Sequence, residues 1–115
     1  MNDPKPEPPL TEASTYILLS LAPAEKHGYA ILKDVAALSQ GRVRLSTSTL
    51  YSALDRLQAQ GLIERLEAAA APSPGLPRKT YRLSGAGRAA VEAEMARLKR
   101  LLSAGEGRLA GPPVG

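Results

Sequence analysis

A chain of 115 residues with 43% hydrophobic side chains holds one domain with a single core, small enough to gain from a second copy of itself. The lack of cysteine excludes disulfides, thiolate nucleophiles and cysteine-based zinc sites, and with His27 as the one histidine a metal centre would need almost wholly carboxylate ligands. The net charge of +4 is uneven: residues 1–45 carry five basic and five acidic side chains, residues 46–115 ten and six, so the excess lies in the second part of the chain.

The opening Met1-Asn-Asp-Pro-Lys-Pro-Glu-Pro-Pro9 lacks the apolar core of a secretion signal. No run approaches the roughly 20 apolar residues of a membrane span, and a cytoplasmic protein with no membrane partner is expected. Residues 1–9 and the stretch from Ala104 to Gly115 are too poor in core-forming residues for packed structure and are expected to be disordered tails.

Thr11 is a suitable N-cap for a first helix running to about Leu21. Its apolar residues include the consecutive Ile17, Leu18 and Leu19, an arc wider than one buried stripe requires, so one face should meet the core and another a second protein surface. After the break from Pro23 to Gly28, a second helix spans about Gly28 to Leu38, with Ile31, Leu32 and Val35 inward. His27 is expected to pack at its start, since no partner stands at metal-ligand spacing from it, and Tyr29 to pack there too, with phosphate contact as the lesser reading.

Gly41 and the extended link Arg42-Val-Arg-Leu45 lead to a third helix, capped by Ser46 and stopped at Gly61, with Leu50, Leu54 and Leu57 on its buried face. Leu62 to Glu67 then reads as a strand whose buried face the pattern leaves open. In the return strand Arg78-Lys-Thr-Tyr-Arg-Leu83, Tyr81 and Leu83 share one face, and Arg78, Thr80 and Arg82 the other. Three prolines and a glycine between Ala68 and Pro77 make the connection a flexible tip.

Ser84 caps a last helix expected to end near Ser103, in which Val91, Met95, Leu98 and Leu102 repeat at spacings of four, three and four. A seam of about two heptads is too short to hold two chains alone, and the first helix, through Ile17, Leu18 and Leu21, is its natural support.

Three helices, a two-stranded hairpin and a closing helix describe a mainly α fold with a small β-hairpin, a winged helix-turn-helix over residues 10–83 followed by a C-terminal dimerisation helix over 84–103. In such a domain the third helix enters the major groove, about 12 Å wide, and the hairpin touches flanking phosphates or the minor groove. The candidate DNA contacts are Arg44, the short hydroxyls Ser46, Thr47, Ser48 and Thr49 at the helix start, Tyr51, and the wing bases Arg78, Lys79 and Arg82. Each has a plainer account: Ser46 as no more than a cap, Tyr51 at the rim of the core, the bases as charges that protect a sheet edge.

The chain resembles the PadR family of bacterial transcriptional regulators. The resemblance rests on Leu18-Leu-Ser-Leu21, His27-Gly-Tyr-Ala-Ile31, Ser46-Thr-Ser-Thr-Leu-Tyr-Ser-Ala-Leu-Asp-Arg-Leu57, Gly61-Leu-Ile63 and Arg78-Lys-Thr-Tyr-Arg-Leu-Ser-Gly-Ala-Gly-Arg88, in order and at compatible spacings from Leu10 to Leu102. It implies a homodimeric transcription factor of the short branch, usually a repressor, that binds the inverted repeat of a double-stranded operator and pairs through its first and last helices. Some members release DNA when a small hydrophobic effector binds. This chain has no tryptophan or phenylalanine with which to stack a planar drug, so the effector does not carry over. No cofactor is implied.

The alternative within the same fold is a winged-helix protein-interaction module that does not touch DNA. Catalysis is not expected, because no nucleophile is paired with a base and no glycine-rich phosphate loop follows a strand.

Overall fold

The structure, a computed structural model, describes residues 10–66 and 79–111. In chain order it contains α1 (Glu12–Leu21), a two-residue strand β1 (Lys26–His27), α2 (Gly28–Leu38), α3 (Thr47–Ala59), the strands β2 (Ile63–Leu66) and β3 (Thr80–Leu83), and α4 (Gly85–Leu109). The architecture is mainly helical with a small antiparallel sheet, in agreement with the winged-helix expectation. The tail over 1–9, the tip over 68–77, Arg78 and the last four residues lie outside the described residues.

Each long helix starts at a side chain that satisfies its first free amides. Thr11, Ser46 and Ser84 accept from the backbone N–H of Ser14, Thr49 and Gly87 at 3.0, 3.1 and 3.0 Å. His27 caps α2 through Nδ1, which accepts from Ala30 N–H at 3.4 Å.

The helix ends are equally local in origin. At the end of α3, Gly61 N–H donates to the Gln58 carbonyl at 2.9 Å and Leu62 N–H to the Leu57 carbonyl at 3.0 Å, with Gly61 at φ 76°, a Schellman closure that turns the chain into β2. The same closure ends α2, where Gln40 N–H reaches Ala37 at 3.1 Å and Gly41 N–H reaches Ala36 at 2.7 Å. There the left-handed position is Gln40, at φ 54°, followed by Gly41 at φ 81°.

The core draws on every element except β1. Ile17, Leu18 and Leu21 of α1 meet Ile31 and Val35 of α2, Leu50, Ala53, Leu54 and Leu57 of α3, Ile63 of β2, Tyr81 of β3 and Val91 of α4. The sequence left open which face of the β2 strand is inward, and the buried side is that of Ile63.

Four differences from the sequence-based expectation have physical causes. The sheet has three strands in the order β1-β3-β2, since Lys26 and His27 pair with Tyr81 and Thr80; two residues are too few to show an alternating pattern. Helix α4 runs through Gly105 and Gly107 to Leu109 and so includes part of the expected tail. An isolated glycine costs a helix only about 1 kcal/mol, and the first residue that blocks one sterically is Pro112.

Ile17, Leu18 and Leu21, expected on a partner-facing surface, are 0–2% exposed because the chain's own core consumes them; Val91 is likewise buried. The outward residues of α1 are Leu10, just before it, Tyr16 and Leu19, which line a groove of about 440 Å³ against Met95 and Leu98 of α4. Finally, Tyr29 does not pack at the start of α2 but stands 66% exposed, with the Lys33 ammonium 5.6 Å from its ring centre.

Candidate nucleic-acid interface

The third helix is two-sided. Its apolar side, Leu50, Ala53, Leu54 and Leu57, is buried, which fixes the helix against the core. Ser46, Thr47, Ser48 and Thr49 are all exposed at its start. The Ser46 hydroxyl is already engaged, accepting from Thr49 N–H at 3.1 Å and donating to the Thr49 Oγ1 at 2.8 Å. Ser46 and Thr49 therefore build the cap, with the Ser48 hydroxyl 3.4 Å from that of Ser46, while Thr47 and Ser48 stay exposed and their first-turn amides have no acceptor within the helix. Backbone N–H groups and the helix dipole at such an end attract phosphate.

One exposed residue on this surface was missed in the sequence. Ser52 stands one turn after Ser48 and is exposed like it. The signal was its four-residue spacing from Ser48, which the run of four hydroxyls at the helix start obscured. Tyr51 is half-buried; its ring turns back over Gly28 at the start of α2, so its hydroxyl meets the protein and does not extend freely outward.

The basic candidates divide by their partners. Arg44 is exposed just before the cap and lies over Gly41, with its Nη2 3.2 Å from where a Cβ on that glycine would sit. Arg42 is paired to Glu12 at 3.2 Å, tying the link before α3 to the first turn of α1. Lys79 is exposed at the start of the return strand. Arg82 does not stand free: its Nε and Nη2 both donate to Glu64 Oε2, at 3.0 and 2.7 Å. The structure thus gathers the hydroxyls at the start of α3, lays the Arg44 guanidinium over Gly41 in the preceding link, and gives Arg82 an acidic partner within the wing.

Among the described residues, no group of three or more His, Cys, Asp and Glu could hold a metal ion. No helix among them is long and apolar enough to cross a membrane.

Comparison with known proteins bears on the same residues. The family model described as the transcriptional regulator PadR-like family matches residues 17–93, which include all of α2, α3, the sheet and the first part of α4. A PadR family transcription regulator from Clostridium difficile R20291 superposes with a TM-score of 0.73 at 23% identity, over 87% of this chain and 100% of that one. A PadR-like transcriptional regulator from Bacillus cereus gives 0.69 at 23% identity, over 86% and 92%. Bacillus subtilis PadR, whose structure is of a complex with operator DNA, gives 0.60 at 20% identity, over 89% of this chain and 49% of that one. No curated protein is significantly similar in sequence.

Proposed function

Because this chain belongs to the PadR-like family of transcriptional regulators, we propose that it is a homodimeric, sequence-specific DNA-binding repressor of an inverted-repeat operator. The observation that carries this reading is the start of α3, where exposed Thr47 and Ser48 and free first-turn amides stand on a helix whose other side is locked into the core. Such a helix can enter the major groove without the domain distorting, and short hydroxyls let its backbone approach phosphate closely. The likeness in fold to Bacillus subtilis PadR, known bound to its operator, supports the same assignment.

In this reading Thr47, Ser48 and Ser52 face base edges, Ser46 and Thr49 hold the cap that aims them, and Arg44, Arg78 and Lys79 bind the phosphate backbone. Two copies join along α4, where Met95, Leu98 and Leu102 leave apolar surface exposed, and two-fold symmetry then demands two half-sites a whole number of helical turns apart. A small hydrophobic effector would enter the groove lined by Tyr16, Leu19, Met95 and Leu98, which touches both α1 and α4 and so couples to the spacing of the two recognition helices.

Selection of binding sites from random duplex DNA with the purified protein tests the proposal. A palindromic winner is expected, bound with a log affinity that falls by about 0.9 per contacted phosphate for each unit of log salt. Enrichment of no sequence, with binding indifferent to salt, would leave a winged-helix module that joins other proteins and would overturn the assignment.

A further inference from the structure

The wing carries an acid where a DNA-gripping surface has most use for bases. The β2–β3 register sets Glu64 directly opposite Arg82, and strand alternation puts both on the solvent face, away from buried Ile63 and Tyr81. One oxygen of Glu64 accepts from two nitrogens of Arg82, at 3.0 and 2.7 Å, so the guanidinium is held by one edge and its charge is cancelled locally.

The fold has little need of this pair. Its side chains are 53% and 49% exposed, and an ion pair in that setting is worth under about 1 kcal/mol, whereas the sheet is anchored by the buried Ile63 and Tyr81. A weak pair on the solvent face can exchange partners. Next to a duplex, Glu64 competes with phosphate oxygens for the same donors and adds a negative charge of its own.

We propose that Glu64 is a positioning residue that restrains Arg82 and thereby suppresses sequence-independent DNA binding by the wing. The inference rests on the reading that the wing meets DNA. Phosphate contacts hold any sequence equally, so weakening one of them lowers non-specific affinity and leaves more of the discrimination to α3. Glu64 in this role sets the ratio of specific to non-specific binding without touching a base.

The test is a double-mutant cycle on a labelled duplex of random sequence, comparing the unaltered protein, Glu64→Gln, Arg82→Gln and the double variant across a salt series. Glu64→Gln should bind about threefold tighter or more at low salt, with a salt slope steeper by about 0.9 per wing. Arg82→Gln should cost little in the unaltered background and several-fold in the Glu64→Gln background, where the arginine has been released. Coincident thermal melts for all four proteins confirm that the fold is untouched. Equal costs of Arg82→Gln in the two backgrounds would mean that Glu64 acts by charge alone, and no gain from Glu64→Gln would mean that it restrains nothing; either result overturns the proposal. If the unaltered protein binds no duplex at all, the assignment of DNA binding fails and this inference falls with it.

Discussion

The Tyr51 hydroxyl lies over the bare α-carbon of Gly28, so close that a Cβ built on the glycine would stand 2.5 Å from the oxygen and 3.0 Å from Cζ. The start of α2 and the second turn of α3 are therefore fitted to each other at a point where the glycine leaves room for the phenol. Because the clash falls on the far end of a half-buried side chain, Tyr51 can swing aside. Gly28→Ala should cost less than about 1 kcal/mol of stability, yet weaken DNA binding several-fold by displacing Tyr51 beside the hydroxyl cluster. Thermal denaturation and fluorescence anisotropy on the selected operator measure the two effects, and equal losses in both would show the contact to be purely structural.

Gly87 is a stricter case. A Cβ there would sit 2.0 Å from the Leu62 carbonyl oxygen and 2.8 Å from Leu83 Cδ1, and the first of these is backbone that cannot move without shifting the turn after α3. Gly87→Ala should lower stability by about 3 kcal/mol or more, enough to unfold a marginal domain. Gly85 lies two residues earlier on the same helix and has nothing within 4 Å of its added Cβ. Gly85→Ala should leave stability unchanged or raise it by up to about 1 kcal/mol. Urea denaturation of the two variants separates close approach from helix propensity.

These glycines mark how far the sequence could be read. The caps Ser46 and Ser84, the stop at Gly61, the Leu50-Leu54-Leu57 stripe and the inward Tyr81 were legible because each is decided within a few residues by hydrogen bonding or periodicity. What Gly87 approaches was not, since Leu62 is distant in sequence and glycine looks the same wherever it stands. The pairing of Arg82 with Glu64 depends on strand register across a long connection, so the sequence shows the bases of that strand without the acid that engages one of them. Helix α1 was ambiguous for a third reason. Apolar on more than one side, it does not tell from pattern alone that Ile17, Leu18 and Leu21 face inward and Leu10, Tyr16 and Leu19 outward.

Helix α4 leaves Leu101, Leu102 and Leu109 60%, 62% and 87% exposed, and Met95 and Leu98 more than a third. Apolar surface in this quantity on one helix is costly in water and is covered if two copies pair. Leu98→Asp with Leu102→Asp should give a folded monomer, because neither side chain belongs to the core, and should weaken operator binding by removing the second half-site contact. Leu18→Asp, placed in the core, should unfold the chain. Sedimentation velocity and circular dichroism together check the contrast. A double aspartate variant that remains dimeric would exclude this seam.

Two buried groups predict opposite pH limits. Arg97 donates Nε and Nη2 to the two carboxylate oxygens of Glu94 at 2.9 and 2.7 Å, and this holds the Glu94 carboxyl below its ordinary 4.5. A depressed carboxylate contributes stability that is present above the unfolded value and is lost as pH falls through the folded one. Burial pushes the Tyr81 phenol above 10.0, and its contribution is present below that value and lost as pH rises past it. Glu94→Gln should therefore flatten the loss of stability below about pH 4.5, and Tyr81→Phe the loss above about pH 10. Denaturant midpoints measured across pH read both limbs, and an unchanged acid limb in Glu94→Gln would remove the pair with Arg97 from the account.

The hydroxyls of α3 and its cap should separate into a structural pair, Ser46 and Thr49, and a DNA-facing set, Thr47, Ser48 and Ser52. Ser46 accepts the Thr49 amide at 3.1 Å, and losing such a cap costs about 1 kcal/mol, so Ser46→Ala should lower the denaturation midpoint and weaken DNA binding together. Ser48 and Ser52 are exposed and belong to no buried cluster. Their alanine variants should keep stability within about 0.5 kcal/mol while each loses about 1 kcal/mol of operator affinity, a factor of about five. Anisotropy titrations on operator and random duplexes would assign the loss further. A fall confined to the operator places a serine on a base edge, whereas an equal fall on both places it on phosphate, because backbone contacts carry no sequence information.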